Sequence, residues 1–422
     1  MSAPRVLVLG GKAGIVRKAA ALGLEIVHVQ KPSAFDPAVV EHCAQLLLVD
    51  YQDVPTVTAL VRALHEQRPF VRVFTQTEAA QVVAGHLTDV LSLPGNGAAP
   101  TRLLHDKPAL RSLLNDKGIG PVATLRTPGR EELRAFTARH GGAVVKPAMG
   151  SGSLGVRVIA SPEEADAAWE WCRTTGITDF FAEEYLKGRE ISVETFSAAG
   201  RHTVVALTGK DTGGGVVELG HVVPAALAPA DRAAVEDLVT AALDAVGLVD
   251  GPAHTEVIVT ADGPRVVEAH SRRGGDRINE LVRLVHGVDL EEAAYRLALD
   301  GGGPGAPAPD GAAAIRFLTA APGRVTAVTG AAAAEESEGV LQVDVSVEPG
   351  DTVHALRWSE DRLGHVLVRA ADTATAVRLA EEAAARIVIT TEPVAHTAED
   401  TLVDLLRGVD EVLDPFAAPA AD

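Results

Sequence analysis

Residues 254–281 read HTEVIVTADGPRVVEAHSRRGGDRINEL. They carry two carboxylates and two imidazoles at strand spacing, followed at once by arginines. TEVIVT and RVVEAH are rich in β-branched residues, and Ala261-Asp262-Gly263-Pro264 supplies a reversal between them. Strand side chains alternate faces, so His254 and Glu256 share one face, as do Glu268 and His270. A three-residue turn centred on Asp262 sets Glu256 opposite Glu268 and His254 opposite His270. Like charges directly opposite destabilise a hairpin, so the patch needs a positive partner. A divalent cation is the economical candidate. Carboxylates suit Mg²⁺, while the histidines equally admit Zn²⁺, Mn²⁺ or Fe²⁺. Arg272 would brace an anionic intermediate, since guanidinium stays charged and binds oxyanions with two donors. The plain alternative is a solvated polar hairpin face.

A second set of residues suits phosphate. Lys146 leaves the strand AVVKPAM just before Gly150-Ser151-Gly152-Ser153-Leu154-Gly155. Glycines let backbone N–H groups approach phosphate oxygens, and the lysine adds a point charge. The lysine precedes the glycines, so this is not a Walker loop, and a solvated hairpin tip reads almost the same. Lys107 opens the helix DKPALRSLLNDKG, where the macrodipole disfavours a cation unless an anion lies between. In FAEEYLKGRE, the strand end Glu183-Glu184-Tyr185-Leu186 offers backbone groups to a flat base, and Glu190 follows at a spacing that suits a ribose. Taken alone, this segment reads as an exposed acidic loop.

These residues need a scaffold. Strands at 5–10, 24–30, 46–50 and 71–76 alternate with helical patterns at 15–22 and 54–66, which implies a parallel α/β sheet. The turn Gly10-Gly11-Lys12-Ala13-Gly14 lacks the full G-x-G-x-x-G and is read as a packing turn, not a dinucleotide site. SLPGNGAAPT (92–101) and GGGPGAPAPDGAAA (301–314) mark two joins. Strands and a helix at 373–386 follow the second join, and the tail PFAAPAAD reads as disordered. At 422 residues the chain has room for two or three domains. A net charge of −19 excludes nucleic-acid and anionic-membrane binding, both of which need clustered basic residues. Two cysteines and the absence of a leader or a long apolar run point to a cytoplasmic protein.

Lys107, Lys146 with SGSLG, E-E-Y-L at 183–186, Glu256 with Glu268, then Arg272, in that order, resemble the ATP-grasp superfamily. HTE, VVEAHSRRGGDRI and VELGHVVPA resemble its carboxylate–amine ligases that join amino acids. The resemblance implies a multidomain α/β and α+β chain with the ATP-grasp fold: an N-terminal Rossmann-like domain over 1–97, a core over 98–305 with a lid near 123–188, and a small α+β domain over 306–422. It implies that Lys107 and Lys146 contact ATP phosphates under a loop holding Gly152 and Ser153. It gives Glu183 and the backbone of Glu184, Tyr185 and Leu186 to adenine, and Glu190 to ribose. Glu256 and Glu268 would ligate Mg²⁺ (with Mn²⁺ as a substitute), and His270 stands where the family often has a ligand Asn. Glu218, His221, His254, Arg272 and Arg273 would face the substrates, and Arg272 with the N–H groups of Gly274 and Gly275 would hold the oxyanion. The implied activity joins a small carboxylate, an amino acid, to an amine through an acyl phosphate, and the resemblance suggests a homodimer. The rival activities are a biotin-carboxylase-like reaction, a non-catalytic nucleotide-binding module, and a nicotinamide-linked dehydrogenase on the N-terminal sheet.

Overall fold

The computed structural model describes residues 3–148, 152–153, 155–177 and 179–394. Gly150, Ser151 and Leu154 of the expected covering loop, and the tail expected to be disordered, lie outside them.

The chain opens with β1 (Arg5–Leu9), α1 (Ala13–Ala21), β2 (Glu25–Gln30), β3 (Gln45–Leu48), α2 (Val54–Gln67) and β4 (Arg72–Thr75). The strands pair in parallel in the order β3-β2-β1-β4. Alternate residues of β1 face opposite cores, Val6 and Val8 on one side and Leu7 and Leu9 on the other, as buried parallel strands require. The glycine turn after β1 is a packing turn: His28 and Gln30 hold the carbonyls of Gly10 and Gly11 at 3.0 and 2.9 Å. Gly10 has φ 62°, and a Cβ there would sit 2.7 Å from Thr77 Oγ1. Its bareness lets the segment after β4 close onto the sheet.

Three helices follow: α3 (Gln81–Val90), α4 (Ala98–His105) and α5 (Lys107–Asp116). Then β5 (Thr124–Arg126), α6 (Arg130–His140), β6 (Ala143–Pro147), β7 (Arg157–Ile159), α7 (Pro162–Thr174) and β8 (Phe180–Glu184) form a small layer in which the sheet order is β5-β8-β6-β7. Its own core includes Leu133, Phe136, Val145, Ala168 and Phe180.

The remaining chain supplies β9 (Gly188–Ala198), β10 (Arg201–Asp211), β11 (Gly220–Val223), α8 (Pro229–Val246), β12 (Gly251–Thr260), β13 (Gly263–His270), α9 (Ile278–His286) and α10 (Leu290–Arg296). Next come β14 (Ala312–Phe317), β15 (Gly323–Thr329), α11 (Ala331–Glu335), β16 (Val340–Val345), β17 (Thr352–Val353), β18 (Gly364–Ala370), α12 (Thr373–Ala384) and β19 (Val388–Glu392). An antiparallel sheet of eight strands runs β13-β12-β9-β10-β11-β14-β18-β16. The second join therefore separates stretches of sequence but not of sheet, and its last residues belong to β14. The strands β17, β15 and β19, which the sequence patterns do not announce, form a further small sheet. Among the described residues no helix is long and apolar enough to cross a membrane.

The hairpin pairs as expected, Glu256 with Glu268 and His254 with His270, but by a different route. The turn holds two residues, because Thr260 pairs with Gly263. A bulge then inserts Val267, so that Val257 faces Val266 while Glu256 faces Glu268. Were Val267 paired regularly instead of bulged, Glu268 would lie opposite Thr255 and turn to the far face of the sheet.

Candidate active site

One face of five neighbouring strands collects nearly all the polar residues with chemical potential. Glu256 of β12 pairs across to Ser192 of β9 and to Glu268 of β13; His254 pairs to Glu194 and His270; Lys210 of β10 pairs to His221 of β11. The opposite face is apolar, with Ile191, Val193, Leu207 and Val257 packed on α5 and α8. Strand alternation alone thus sorts the site from the core.

This face floors a cavity of about 1030 Å³ roofed by the β5–β8 layer. Lys107, Lys146, Gly152, Ser153, Tyr185, Leu186, Glu190, Glu218, Glu256 and Glu268 line it together with Lys210. Lys210 is the centre of its charge. Its buried ammonium lies 2.7, 2.9 and 2.7 Å from carboxylate oxygens of Glu190, Glu218 and Glu256. Burial works against that charge, but the three carboxylates outweigh it and hold the lysine well above its ordinary pKa. Burial likewise raises the Glu256 carboxyl, yet Lys210 and His254 bring it down to about 2.

Glu183 and Glu184 stand behind the cavity wall and do not line it. Glu183 is buried between Lys146, at 2.7 Å, and Arg111. Its carboxylate fixes the Lys146 ammonium, while Tyr185 and Leu186 line the cavity. Glu184 caps the amide of Ala123 at 2.8 Å. Lys107 reaches Glu268 at 3.3 Å, and α5 begins there because Asp106 accepts the Ala109 N–H at 2.9 Å.

The expected metal set was Glu256, Glu268 and His270. Among the described residues, the three acidic groups whose oxygens all lie within 4.8 Å of one another are Glu190, Glu218 and Glu256. The Lys210 ammonium already fills the space between these three carboxylates, so a cation could join them only by displacing it. His270 has no nitrogen to spare: Nδ1 is 3.2 Å from Glu78 and Nε2 is 2.9 Å from Glu268. Two carboxylates only accept, so both ring nitrogens donate, and the ring is an imidazolium. Burial opposes that charge, but Glu78 and Glu268 raise its pKa regardless.

Beyond the cavity lies the loop between β13 and α9. Arg272 is paired with Glu78, from the segment after β4, and donates to the Arg273 carbonyl at 3.0 Å. Gln76 and Gln81 of the same region accept from Arg273 N at 3.1 Å and Ser271 Oγ at 3.0 Å. The Arg273 side chain turns away to Glu291 on α10, at 2.7 Å. Gly274 is pressed against the pair His254–Glu194, and a Cβ there would meet His254 Nδ1 at 2.9 Å and Glu194 Oε2 at 3.1 Å. Gly275 has open space around it. Glu194 holds His254 Nδ1 at 3.0 Å. Burial lowers the His254 pKa, but Glu194 and Glu256 override it and lift it to about 9. His221 donates from Nε2 to Asp276 at 3.2 Å, and its buried Nδ1 has no partner among the described residues. Asp276 and the next residue, Arg277, have φ 49° and 62°, a left-handed backbone that costs a non-glycine residue about 1–2 kcal/mol.

Lys210, Glu194, Glu78 and Asp276 are absent from the site residues expected from sequence. Lys210 had a visible signal: it precedes a glycine run, TGKDTGGG, as Lys146 precedes SGSLG. Glu194 follows Glu190 and Ser192 at period two on one strand face. Glu78 reaches Arg272 across 194 residues of chain, and no local pattern announces that.

Residues 141–280 match the model of an ATP-grasp domain, 16–95 that of an ATP-grasp N-terminal domain, and 316–392 that of an L-amino acid ligase C-terminal domain 2. The chain is 27% identical over 370 residues to an uncharacterized protein of Sinorhizobium fredii, spanning 83% of this chain and 75% of that one. It is 23% identical over 320 residues to the L-arginine-specific L-amino acid ligase of Bacillus subtilis, spanning 72% and 76%. The L-amino acid ligase of Bacillus licheniformis has the same fold, with a TM-score of 0.79 at 21% identity over 93% of this chain and 100% of that one.

Proposed function

We propose that this chain, which has the ATP-grasp fold and an L-amino acid ligase C-terminal domain, is an ATP-dependent ligase that joins the carboxylate of an amino acid to an amine. The observation that carries this reading is the convergence of Lys107, Lys146 and Lys210 with Glu190, Glu218, Glu256 and Glu268 on one cavity, beside the Arg272 loop.

ATP fits between the β5–β8 layer and the polar sheet face, its base at the strand end Tyr185–Leu186 and its phosphates over the three lysines. The lysines are already aimed: Glu183 holds Lys146, Glu268 holds Lys107, and three carboxylates hold Lys210. Glu256 and Glu268 would hold Mg²⁺, or Mn²⁺ in its place, and the ion would supply positive charge against the charge that develops on the transferring phosphoryl group. A substrate carboxylate oxygen attacks the γ-phosphorus, and ADP leaves. The amine nitrogen then attacks the acyl carbon, the acyl C–O bond to phosphate breaks, and the proton shed by the nitrogen goes to the departing phosphate. Arg272, set by Glu78, and the N–H groups of Gly274 and Gly275 stabilise the tetrahedral oxyanion. The His254 imidazolium adds a fixed positive charge beside Glu256, at 3.5 Å. No side-chain nucleophile is needed, because the acyl phosphate is the activated species; the roofed cavity limits its hydrolysis.

The test is a matrix of amino-acid and amine pairs scored for ADP release and for condensed product by mass spectrometry. Release that requires both an acid and an amine, with a product short by one water, supports the ligase. Release with bicarbonate alone, or none with any pair, overturns it. Glu268→Ala or Arg272→Ala should lower product formation by at least about 10²-fold while the circular-dichroism spectrum is kept. Near-normal turnover in either variant would remove that residue from the catalytic machinery.

A further inference from the structure

The loop that carries Arg272, Gly274 and Gly275 ends on the left-handed pair Asp276–Arg277, and both side chains also reach the C-terminal module. Arg362 grips Asp276 with two parallel bonds of 2.8 and 2.5 Å. Its guanidinium also stacks over the Phe317 ring at 3.8 Å and donates to the carbonyl of Glu218 at 3.4 Å. Arg277 reaches His365 at 2.7 Å and Gln342 at 2.8 Å. A strained backbone persists only where its surroundings over-determine it. The determining groups come largely from β16, β18 and the turn before β18, joined by His221 of β11 on Asp276 and Glu280 of α9 on Arg277. Leu356, just upstream of that turn, lines the cavity itself.

We propose that Arg362 is a positioning residue: through Asp276 it sets the backbone of the loop that holds the acyl group, which makes the C-terminal module a working part of the site. The consequence for turnover rests on the ligase reading, but the effect on the loop does not. Asp276 is also the anchor for His221, so the same grip fixes that imidazole. A lysine in place of Arg362 would keep the charge and lose the fork, since two parallel bonds to one carboxylate need guanidinium geometry.

The experiment compares wild type with Arg362→Met, Arg362→Lys and the control Arg369→Met, whose arginine pairs with Asp310 on the exposed side of the module. Hydrogen–deuterium exchange is read first, on ligand-free protein. Exchange in peptides covering 271–277 should rise about tenfold or more in Arg362→Met, less in Arg362→Lys and not in the control, with the N-terminal sheet unchanged in all. Kinetics are read next. Arg362→Met should lose about 10²-fold in kcat for amide formation, the scale of a misplaced reacting group, with KM for MgATP within about twofold. Added guanidinium ion should restore part of that rate. Unchanged exchange over 271–277 in Arg362→Met overturns the proposal, as does a loss of MgATP affinity equal to the loss in kcat. If Arg362→Met does not fold, Arg362→Lys decides by the same two readings. A wild-type protein that joins no acid–amine pair removes the ligase reading and leaves the exchange result to judge the loop.

Discussion

His254 shows how far a single residue can depart from what its type suggests. It sits in a hairpin with another histidine and two glutamates, and from sequence that crowd admits a transition metal. In the structure Glu194, on the neighbouring strand β9, accepts its Nδ1 proton and makes it a cation. Its pKa in the folded protein is about 9 against an ordinary 6.5. The stabilisation is therefore complete below about pH 6.5 and is lost as pH rises toward about 9. In metal- and nucleotide-free protein, the urea midpoint should fall over that window, and Glu194→Gln should flatten the fall; equal slopes in both proteins would refute this assignment. Gly274 makes a companion case. Gly274→Ala forces a methyl against the His254–Glu194 pair and should cost about 1–3 kcal/mol in urea denaturation, whereas Gly275→Ala, with open space around it, should cost under about 1 kcal/mol. Reversal of that order would show that something other than contact with the pair governs the two glycines.

At the level of elements, periodicity was the reliable guide. The alternation in HTEVIVT and VVEAH placed both carboxylates on one face, and α9 runs over Ile278–His286 between the loop and the break at Gly287. What periodicity did not carry was the means: a two-residue turn with a bulge does the work expected of a three-residue turn. Cross-strand sums cannot tell the two apart, because both give the same pairing at the functional end. Strands β15, β17 and β19 were missed because their sequences are short and half-exposed, with no clean apolar face. The cap of α5 is an element whose local chemistry was legible, and it aims Lys107. Asp106→Ala removes the bond to the Ala109 N–H and should cost about 1 kcal/mol of stability. It should also weaken MgATP binding in calorimetry, since the first turn of α5 carries the lysine; full-strength binding would show that the cap does not position it.

For the molecule as a whole, the second join in sequence is not a join in structure. Residues 301–311 look like a linker, but β14 pairs directly with β11, and β18 and β16 extend the same sheet. Apolar residues on both sides share one core: Phe196, Val223 and Leu281 pack with Ile315 and Leu367. Removal of residues 312–422 would bare the edge of β11 and that core, so the truncated chain should aggregate on size-exclusion chromatography. A monodisperse fragment that still gains thermal stability from MgATP would show that the module is separable. Composition and spacing could not reveal this, because both are blind to which strand edges meet. That Lys107, Lys146, Glu256 and Glu268 belong together was legible because each motif is local, and all four line one cavity. The clamp on the loop was not, because Glu78, Asp276 and Arg362 belong to three distant stretches.

That separation along the chain also sets a schedule for synthesis. Glu78 is a half-buried carboxylate whose partners His270 and Arg272 come 192 and 194 residues later. At a translation rate of about 5–20 residues per second, the N-terminal sheet emerges roughly 10–40 s before they do. During that interval Glu78 has only His105, 27 residues on, as an ion-pair partner of these three. The strained pair Asp276–Arg277 waits longer still, until Arg362 has left the ribosome. Domains of this protein can fold in order as they emerge, but its active site is assembled from both ends and is finished last.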